Sequence, residues 1–146
     1  MKARLVILLL VVSLCCVQTS CTTNRNLAKK CEVEDLSDRI WDYSQSHPDG
    51  FTIDIRTMTE PTEGIAVSYS TTQGSHSRKD LNRVVKHAMR HDGYVGGWLD
   101  TTDSLYYFDS TRLFPEDSLD AAIKFGLKNE QKAIYSIKEG REIKLK

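Results

Sequence analysis

Three features are scarce or missing in this sequence: a net charge, a long apolar run and a set of cysteines. The 20 basic residues balance the 20 acidic ones, whereas a general binder of polyanions is expected to be basic. The apolar run from Leu5 to Cys16 is shorter than the about 20 residues that a membrane-spanning helix needs. Only two of the four cysteines lie beyond that run, which leaves at most one disulfide there. The composition therefore argues against nucleic acid as a partner and against a transmembrane helix.

Motifs that would assign a reaction are also missing. His87 and His91 have the spacing of two zinc ligands in metalloproteases, but the glutamate of that motif is absent and Arg90 precedes the second histidine. Gly96 and Gly97 are followed neither by the spaced glycines of a dinucleotide-binding loop nor by a Gly-Lys-Ser/Thr sequence. No serine or cysteine stands out with a convincing base. We therefore predict no metal site, no cofactor and no catalytic residue.

The N-terminus has the pattern of an export signal. Lys2 and Arg4 form a short basic start, the apolar run follows, and polar residues begin at Gln18. About 125 residues follow Cys21, which is a normal size for one domain. We interpret residues 1–20 as a signal peptide, 21–33 as a tether and 34–146 as a single domain.

The end of this signal resembles the lipobox of bacterial lipoproteins. Cys21 follows the apolar region closely and is preceded by the small residues Thr19 and Ser20. The resemblance implies acylation of Cys21, which would anchor the protein to the bacterial cell envelope through the membrane. Gln18 stands where an aliphatic residue is usual, so plain secretory cleavage near Ser20 remains open as the alternative. It would release a soluble protein whose Cys21 could form a small disulfide loop with Cys31.

Hydrophobic periodicity predicts an α+β domain of three helices and six strands in the order αββαββαββ. Apolar residues at helical spacing predict helices at 35–46, 77–89 and 119–127, and Ser77 with Asp80 has the form of a capping box. Alternating apolar residues predict three hairpins, which pair 51–55 with 65–69, 94–100 with 105–110, and 132–137 with 142–145. Because such strands bury one face, we predict that the three helices pack on a mainly antiparallel sheet built from these hairpins.

Aromatic and ionisable residues crowd together on the second predicted hairpin. We interpret its aromatic residues as mostly core, and because both strand faces carry them, we expect this hairpin to be central and covered on both faces. Asp109 is expected to pair with Arg112, three residues further on, because a buried carboxylate needs a partner. If this segment is instead a binding surface, its candidate residues are Trp98, Asp100, Tyr106, Asp109 and Arg112.

The second predicted helix also carries a row of basic residues on its outward side. The helical wheel places them on one stripe, which consists of Lys79, Arg83, Lys86 and Arg90. A lipid anchor on Cys21 would hold this stripe near a membrane surface, where it could contact anionic groups. A solvated helix face is the simpler interpretation of such a pattern.

Three short runs in the C-terminal half carry a resemblance to a known group of proteins. They are GGWLD at 96–100, YYFDS at 106–110 and QKAIY at 131–135. They look like uncharacterised domains found in large polyvalent proteins of phages and conjugative elements of gut bacteria. These residues are of the kind that fix a fold, so the resemblance implies a related fold and no particular activity.

Two classes of function follow from these observations. The first is a small exported envelope protein, held by a lipid anchor, that acts as a binding module for an unknown protein partner. The second is a secreted nuclease or toxin-like enzyme that uses the basic stripe together with a histidine as acid or base, and its candidate histidines are His76, His87 and His91.

Overall fold

A computed structural model describes the backbone of residues 6–145 and the side chains of residues 25–145. Its helices are α1 (Val6–Gln45), α2 (Arg78–Ala88) and α3 (Leu119–Lys128). Its strands are β1 (Phe51–Asp54), β2 (Ile65–Ser68), β3 (Tyr94–Asp100), β4 (Leu105–Phe114), β5 (Ala133–Ser136) and β6 (Arg141–Lys144). Over the described residues, the predicted α+β class and the order αββαββαββ are therefore confirmed.

α1 begins much earlier than the helix predicted at 35–46, although it ends within one residue of the predicted end. The sequence has neither proline nor glycine before Pro48, so no strong helix breaker interrupts the segment 21–33 that we interpreted as a tether. The chain divides into one unit up to Asp35 and a second, compact unit, Leu36–Lys146. The division into signal peptide, tether and domain stays a prediction.

The predicted export signal and the lipidated Cys21 lie outside the residues whose side chains are described. Cys31 is described, and it is an exposed free thiol. Among the residues that the structure describes, none of the helices combines the length and the apolar character needed to cross a membrane.

The six strands form one antiparallel sheet in the order β1-β3-β4-β2-β5-β6. The second and third predicted hairpins are confirmed, since β3 pairs with β4 and β5 pairs with β6. The first is wrong: β1 pairs with β3, while β2 lies between β4 and β5. Alternation identified both strands but not their partners, and the loop between them is ten residues long, whereas hairpin loops are usually two to five residues.

One face of the sheet packs against helices and holds the core. The capping box of Ser77 and Asp80 is present at the start of α2, and the helix buries Leu81, Val84, Val85 and Ala88 against β3 and β4. α3 packs on β2 and β5, where Ala122 joins a buried cluster that contains Ile65, Val67, Phe114 and Ile134. The end of α1 contributes Trp41, whose ring lies 5.8 Å from the ring of Phe108. We call this side of the sheet the helix face.

Side chains between these core positions point to the other side of the sheet, which we call the open face. Its members alternate in register with the core residues and include Thr52, Ala66, Gly96, Trp98, Tyr107, Asp109, Thr111 and Tyr135. Trp98 is 43% exposed and Tyr135 is 42% exposed. The expectation that the aromatic hairpin is covered on both faces, with Trp98 in the core, is therefore wrong. Phe108, which points to the helix face, is buried as expected.

Candidate functional site

The open face is the floor of a groove with a volume of about 890 Å³. The middle of the floor is made of small side chains from four neighbouring strands, namely Thr52, Gly96, Thr111, Ala66 and Ser68. Short side chains keep the floor low, because bulky residues at these positions would fill the space above the strands. Gly96 contributes most directly, since a Cβ atom there would come within 3.0 Å of the Thr111 hydroxyl.

Aromatic rings stand at both ends of this floor. At the β3–β4 end, Trp98 stacks on Tyr107 with ring centroids 5.3 Å apart, and the Tyr107 hydroxyl donates a hydrogen bond of 2.7 Å to Asp103. On the other side of the groove, Tyr135 projects from β5 and is exposed. Half-exposed aromatic rings offer large, rigid contact areas at little cost in conformational entropy.

The groove is strongly acidic, although the protein as a whole has no net charge. Its lining holds six carboxylates and two lysines, which are Asp49, Glu60, Asp100, Asp109, Glu130 and Glu142 against Lys132 and Lys144. Carboxylates gathered along one cleft produce a negative potential there, which attracts cations and repels phosphates. The electrostatics of the groove therefore favour a cationic or uncharged ligand.

Asp109 is the most unusual of these carboxylates, because it is only 6% exposed. Its Oδ2 atom accepts a hydrogen bond of 3.2 Å from the indole nitrogen of Trp98, and its buried Oδ1 atom has no hydrogen-bond partner among the described residues. Burial raises the pKa of Asp109 to about 6, against the smaller opposing effects of the Trp98 hydrogen bond and the positive charge of Arg83. At neutral pH this side chain is thus a poorly compensated buried anion.

The expected pair between Asp109 and Arg112 is wrong. The two residues are three apart on β4, and residues an odd number apart on a strand point to opposite faces. Arg112 lies on the helix face, where its guanidinium carbon is 4.8 Å from the ring centroid of Phe114 and its Nε atom is 3.8 Å from an oxygen of Asp92. Asp109 has Trp98 as its partner instead.

Two other predicted binding residues have identifiable structural roles. Asp100 lines the groove, and its carboxylate accepts a hydrogen bond of 2.8 Å from the backbone of Thr102, which stabilises the β3–β4 turn. Tyr106 points to the helix face, and its hydroxyl donates a hydrogen bond of 2.9 Å to the carbonyl oxygen of His47. Of the predicted binding residues on this hairpin, Trp98, Asp100 and Asp109 come together at the groove, whereas Tyr106 and Arg112 do not.

All four residues of the predicted basic stripe are exposed, and Arg90 lies in the turn after α2. Arg83 differs from the other three because its guanidinium donates hydrogen bonds to the hydroxyl of Ser75 at 2.7 Å and to the carbonyl oxygens of Thr71 and Gln73. It therefore fastens the loop before α2. Lys79, Lys86 and Arg90 are exposed, which is consistent with the interpretation of the stripe as a solvated surface.

His87 and His91 lie on the helix side of the sheet, away from the groove. Their rings stack with centroids 3.8 Å apart, and the Nδ1 atom of His87 shares a hydrogen bond of 2.9 Å with the hydroxyl of Ser110. Ser110 is fully buried, so a substrate cannot reach it as a nucleophile. Desolvation and the neighbouring His91 hold the pKa of His87 below its usual value.

The surroundings of this histidine pair are tied together by further contacts. The ring of Tyr69 contacts both imidazoles, and its hydroxyl is hydrogen-bonded to Asp92, which is also the ion-pair partner of Arg112. His76 lies elsewhere, with its ring 5.9 Å from that of Tyr107. Among the described residues, no group of three or more histidines, cysteines or carboxylates is arranged to hold a metal ion.

Sequence reasoning missed the floor of the groove and its wall at Tyr135. The signal was present in the alternation of β5, where Ala133 and Tyr135 alternate with the buried Ile134 and Ser136. The importance of Gly96 could not be read from the sequence, because it depends on which strand lies opposite β3. Comparison with family models, curated proteins and solved structures finds no match to this chain.

Proposed function

We propose that the protein is an exported envelope protein, anchored through an acylated Cys21, that binds a basic segment of a protein partner in the groove of its open face. The location rests on the export signal and the lipobox-like residues before Cys21. The binding role rests on the groove. The two parts are independent, and each has its own experiment.

One observation carries the binding role: two large aromatic side chains stand more than 40% exposed beside a floor of small residues. A folding core would bury them, as the helix face of the same strands buries Phe108. Exposed aromatic surface rimmed by polar residues is characteristic of an interaction site. Trp98 and Tyr135 are therefore the proposed anchors for the partner.

Charge selects the occupant. Six carboxylates against two lysines oppose nucleic acids and other polyanions, since bringing phosphates into this field would require like charges to approach. A peptide segment with lysine or arginine residues offers cations to the carboxylates and to the aromatic rings, because cation–π contacts with tryptophan and tyrosine are favourable. Among macromolecules, a basic polypeptide therefore fits this groove best.

The binding proposal is tested by capture from envelope extracts with the mature protein tagged at its C-terminus. Tyr135→Ala removes an exposed anchor from the groove, and Leu127→Ala removes an equally exposed apolar side chain from α3, outside the groove. We expect a captured protein that is lost with Tyr135→Ala, retained with Leu127→Ala and released by raised salt, because screening weakens exposed charge interactions. Equal capture by the two variants, or capture of a polysaccharide that survives protease treatment, would contradict this role.

The anchor is tested by the intact mass of the protein extracted from membranes. We expect a chain that starts at Cys21 and carries a diacyl or triacyl addition. Cys21→Ser is the matched variant, and it should shift the protein out of the membrane fraction, because a protein without its acyl chains loses its membrane affinity. An unmodified mature chain that begins at another residue would identify the protein as a secreted soluble one.

A further inference from the structure

We propose that Asp109 and Trp98 form a subsite in the groove that takes one basic side chain of the ligand, with the cation placed against the unpartnered oxygen of Asp109. The inference rests on the proposed function, since it specifies how a basic segment is recognised there. Its ligand class is a lysine ammonium or an arginine guanidinium group on a flexible apolar stem. The residues around Asp109 explain why a basic side chain is selected at this carboxylate rather than at the exposed carboxylates on the rim of the groove.

The first support is the unsatisfied carboxylate. Asp109 lines the groove and is more than nine-tenths buried, and none of the side chains described for residues 25–145 donates a hydrogen bond to its Oδ1 atom. A buried acceptor without a partner costs free energy in the unbound protein. A ligand that supplies an N–H donor removes this cost, so the gain on binding is larger at Asp109 than at an exposed carboxylate such as Glu142, which water already solvates.

The second support is the position of Trp98. Its indole nitrogen donates to the other oxygen of the same carboxylate, and its ring, stacked on Tyr107, remains 43% exposed. Trp98 is thus attached to Asp109 at one edge while one part of its surface faces solvent. A cation could reach the buried Oδ1 atom only if its surroundings rearranged, and a shift of this exposed ring would leave an aromatic face beside the incoming cation.

The third support is the space next to the carboxylate. The residue directly opposite Asp109 on β3 is Gly96, which has no side chain to occupy the floor. The positive charge of Arg83 acts on the pKa of Asp109, but the Arg83 guanidinium is hydrogen-bonded to Ser75 and to the carbonyl oxygens of the preceding loop. The described residues therefore place a buried carboxylate beside a floor position without a side chain, and none of their cations is hydrogen-bonded to its Oδ1 atom.

The experiment uses two short blocked peptides of glycine and serine that differ at the central residue. One carries lysine and the other carries norleucine, which has the same stem without the ammonium group. Affinities are measured by calorimetry for the mature protein and for Asp109→Asn and Glu142→Gln, and the indole N–H signal of Trp98 is followed by NMR. Glu142→Gln is the matched control, because it removes one formal charge from an exposed position of the same groove.

We expect the lysine peptide to bind more tightly than the norleucine peptide and to shift the Trp98 indole signal. Asp109→Asn should lower the affinity for the lysine peptide by about tenfold or more, as loss of a buried charge partner typically does. It should leave the affinity for the norleucine peptide unchanged. Glu142→Gln should have a much smaller effect. Failure of lysine to bind better than norleucine, or an equal loss in the two variants, would overturn the subsite.

The failure of this subsite is distinguishable from that of the proposed function. If Asp109→Asn binds the lysine peptide like the unmodified protein while capture of the partner still depends on Tyr135, the subsite is refuted and the groove keeps its role. If capture is also independent of Tyr135, the proposed function is refuted as well. The peptide titrations and the capture experiment therefore give separate answers.

Discussion

The two faces of the sheet are built from the same strands, yet they have opposite chemistry. On β4, Phe108 is 1% exposed beneath helices, whereas its neighbour Asp109 is a buried carboxylate beside an acidic groove. On the helix face, apolar side chains interlock with α2 and α3. On the open face, small residues, exposed rings and carboxylates leave space. One face of the sheet is thus covered by helices that stabilise the fold, whereas the other face carries a groove among the described residues.

The glycine pair of β3 illustrates this difference at two adjacent residues. A Cβ atom at Gly97, on the helix face, would come within 2.5 Å of the Phe51 ring and within 2.8 Å of the Tyr106 ring. At Gly96, on the open face, the closest approach would be 3.0 Å, to the Thr111 hydroxyl. Gly97 is therefore required by packing, whereas Gly96 mainly preserves the floor of the groove.

The largest effect is expected from truncation of the core on the helix face. Phe108→Ala removes a ring that is buried against Trp41 and Tyr106, and such a change typically costs about 3 to 5 kcal/mol in the free energy of unfolding. Denaturant melts measure this loss, with Tyr135→Ala on the open face as the matched control. Similar losses in the two variants would mean that the open face is also part of the core.

A smaller effect should separate the two glycines. Gly97→Ala forces the Phe51 and Tyr106 rings to move, and overpacking of this kind typically costs about 1 to 3 kcal/mol. Gly96→Ala should cost less, because only the Thr111 side chain needs to adjust, but it should weaken ligand binding by filling the floor. The comparison of the faces would break down if Gly96→Ala proved the more destabilising of the two.

The sequence predicts the positions of the helices and strands better than it predicts which strands pair in the sheet. Periodicity placed α2 and its buried stripe, the strands of the β3–β4 hairpin, and the alternation on β4. It could not reveal that β2 leaves β1 to pair with β4 and β5, because strand pairing is a long-range property. The groove depends on that pairing, since Ala66 and Ser68 of β2 form part of its floor.

The errors at individual residues have physical causes. The prediction of Trp98 as a core residue assumes that aromatic residues in strands are buried, but hydrophobicity alone does not reveal which face the helices cover. Closeness in sequence predicts a pair between Asp109 and Arg112, but both residues lie on β4, where side chains three residues apart point to opposite faces. Export and lipidation concern a segment whose side chains the structure does not describe, so those expectations stay predictions.

The pH dependence of stability should identify Asp109 as a buried acid. Its pKa is raised from 3.8 to about 6, so the folded protein holds this proton more tightly than the unfolded chain does. The resulting stabilisation is complete below about pH 4 and is lost as the pH rises through 6, with a magnitude on the order of 1 to 3 kcal/mol. Melts of the unmodified protein and of Asp109→Asn, recorded from pH 4 to 8, should therefore diverge in favour of the variant as the pH rises.

Asp80 provides a control of opposite sign for this titration. A hydrogen bond from the Ser77 hydroxyl holds the pKa of Asp80 below its usual value, so its contribution to stability is present above the unfolded pKa and is lost as the pH falls through the folded one. Asp80→Asn should thus be most destabilising near neutral pH. If Asp109→Asn instead behaved like Asp80→Asn, the carboxylate of Asp109 would have a favourable partner and the unsatisfied oxygen would not exist in solution.

The smallest change in stability is expected from Trp98→Ala, and it tests the open face directly. The ring is 43% exposed, so its removal forfeits the stack on Tyr107 and one hydrogen bond to Asp109 but creates no closed cavity. We expect a loss of about 1 kcal/mol, the centre of the range for single substitutions, together with weakened capture of the partner. Denaturant melts and capture are compared with those of Leu127→Ala. A loss in the free energy of unfolding as large as that of Phe108→Ala would return Trp98 to the core. Unchanged capture of the partner would show that Trp98 is not an anchor of the binding surface.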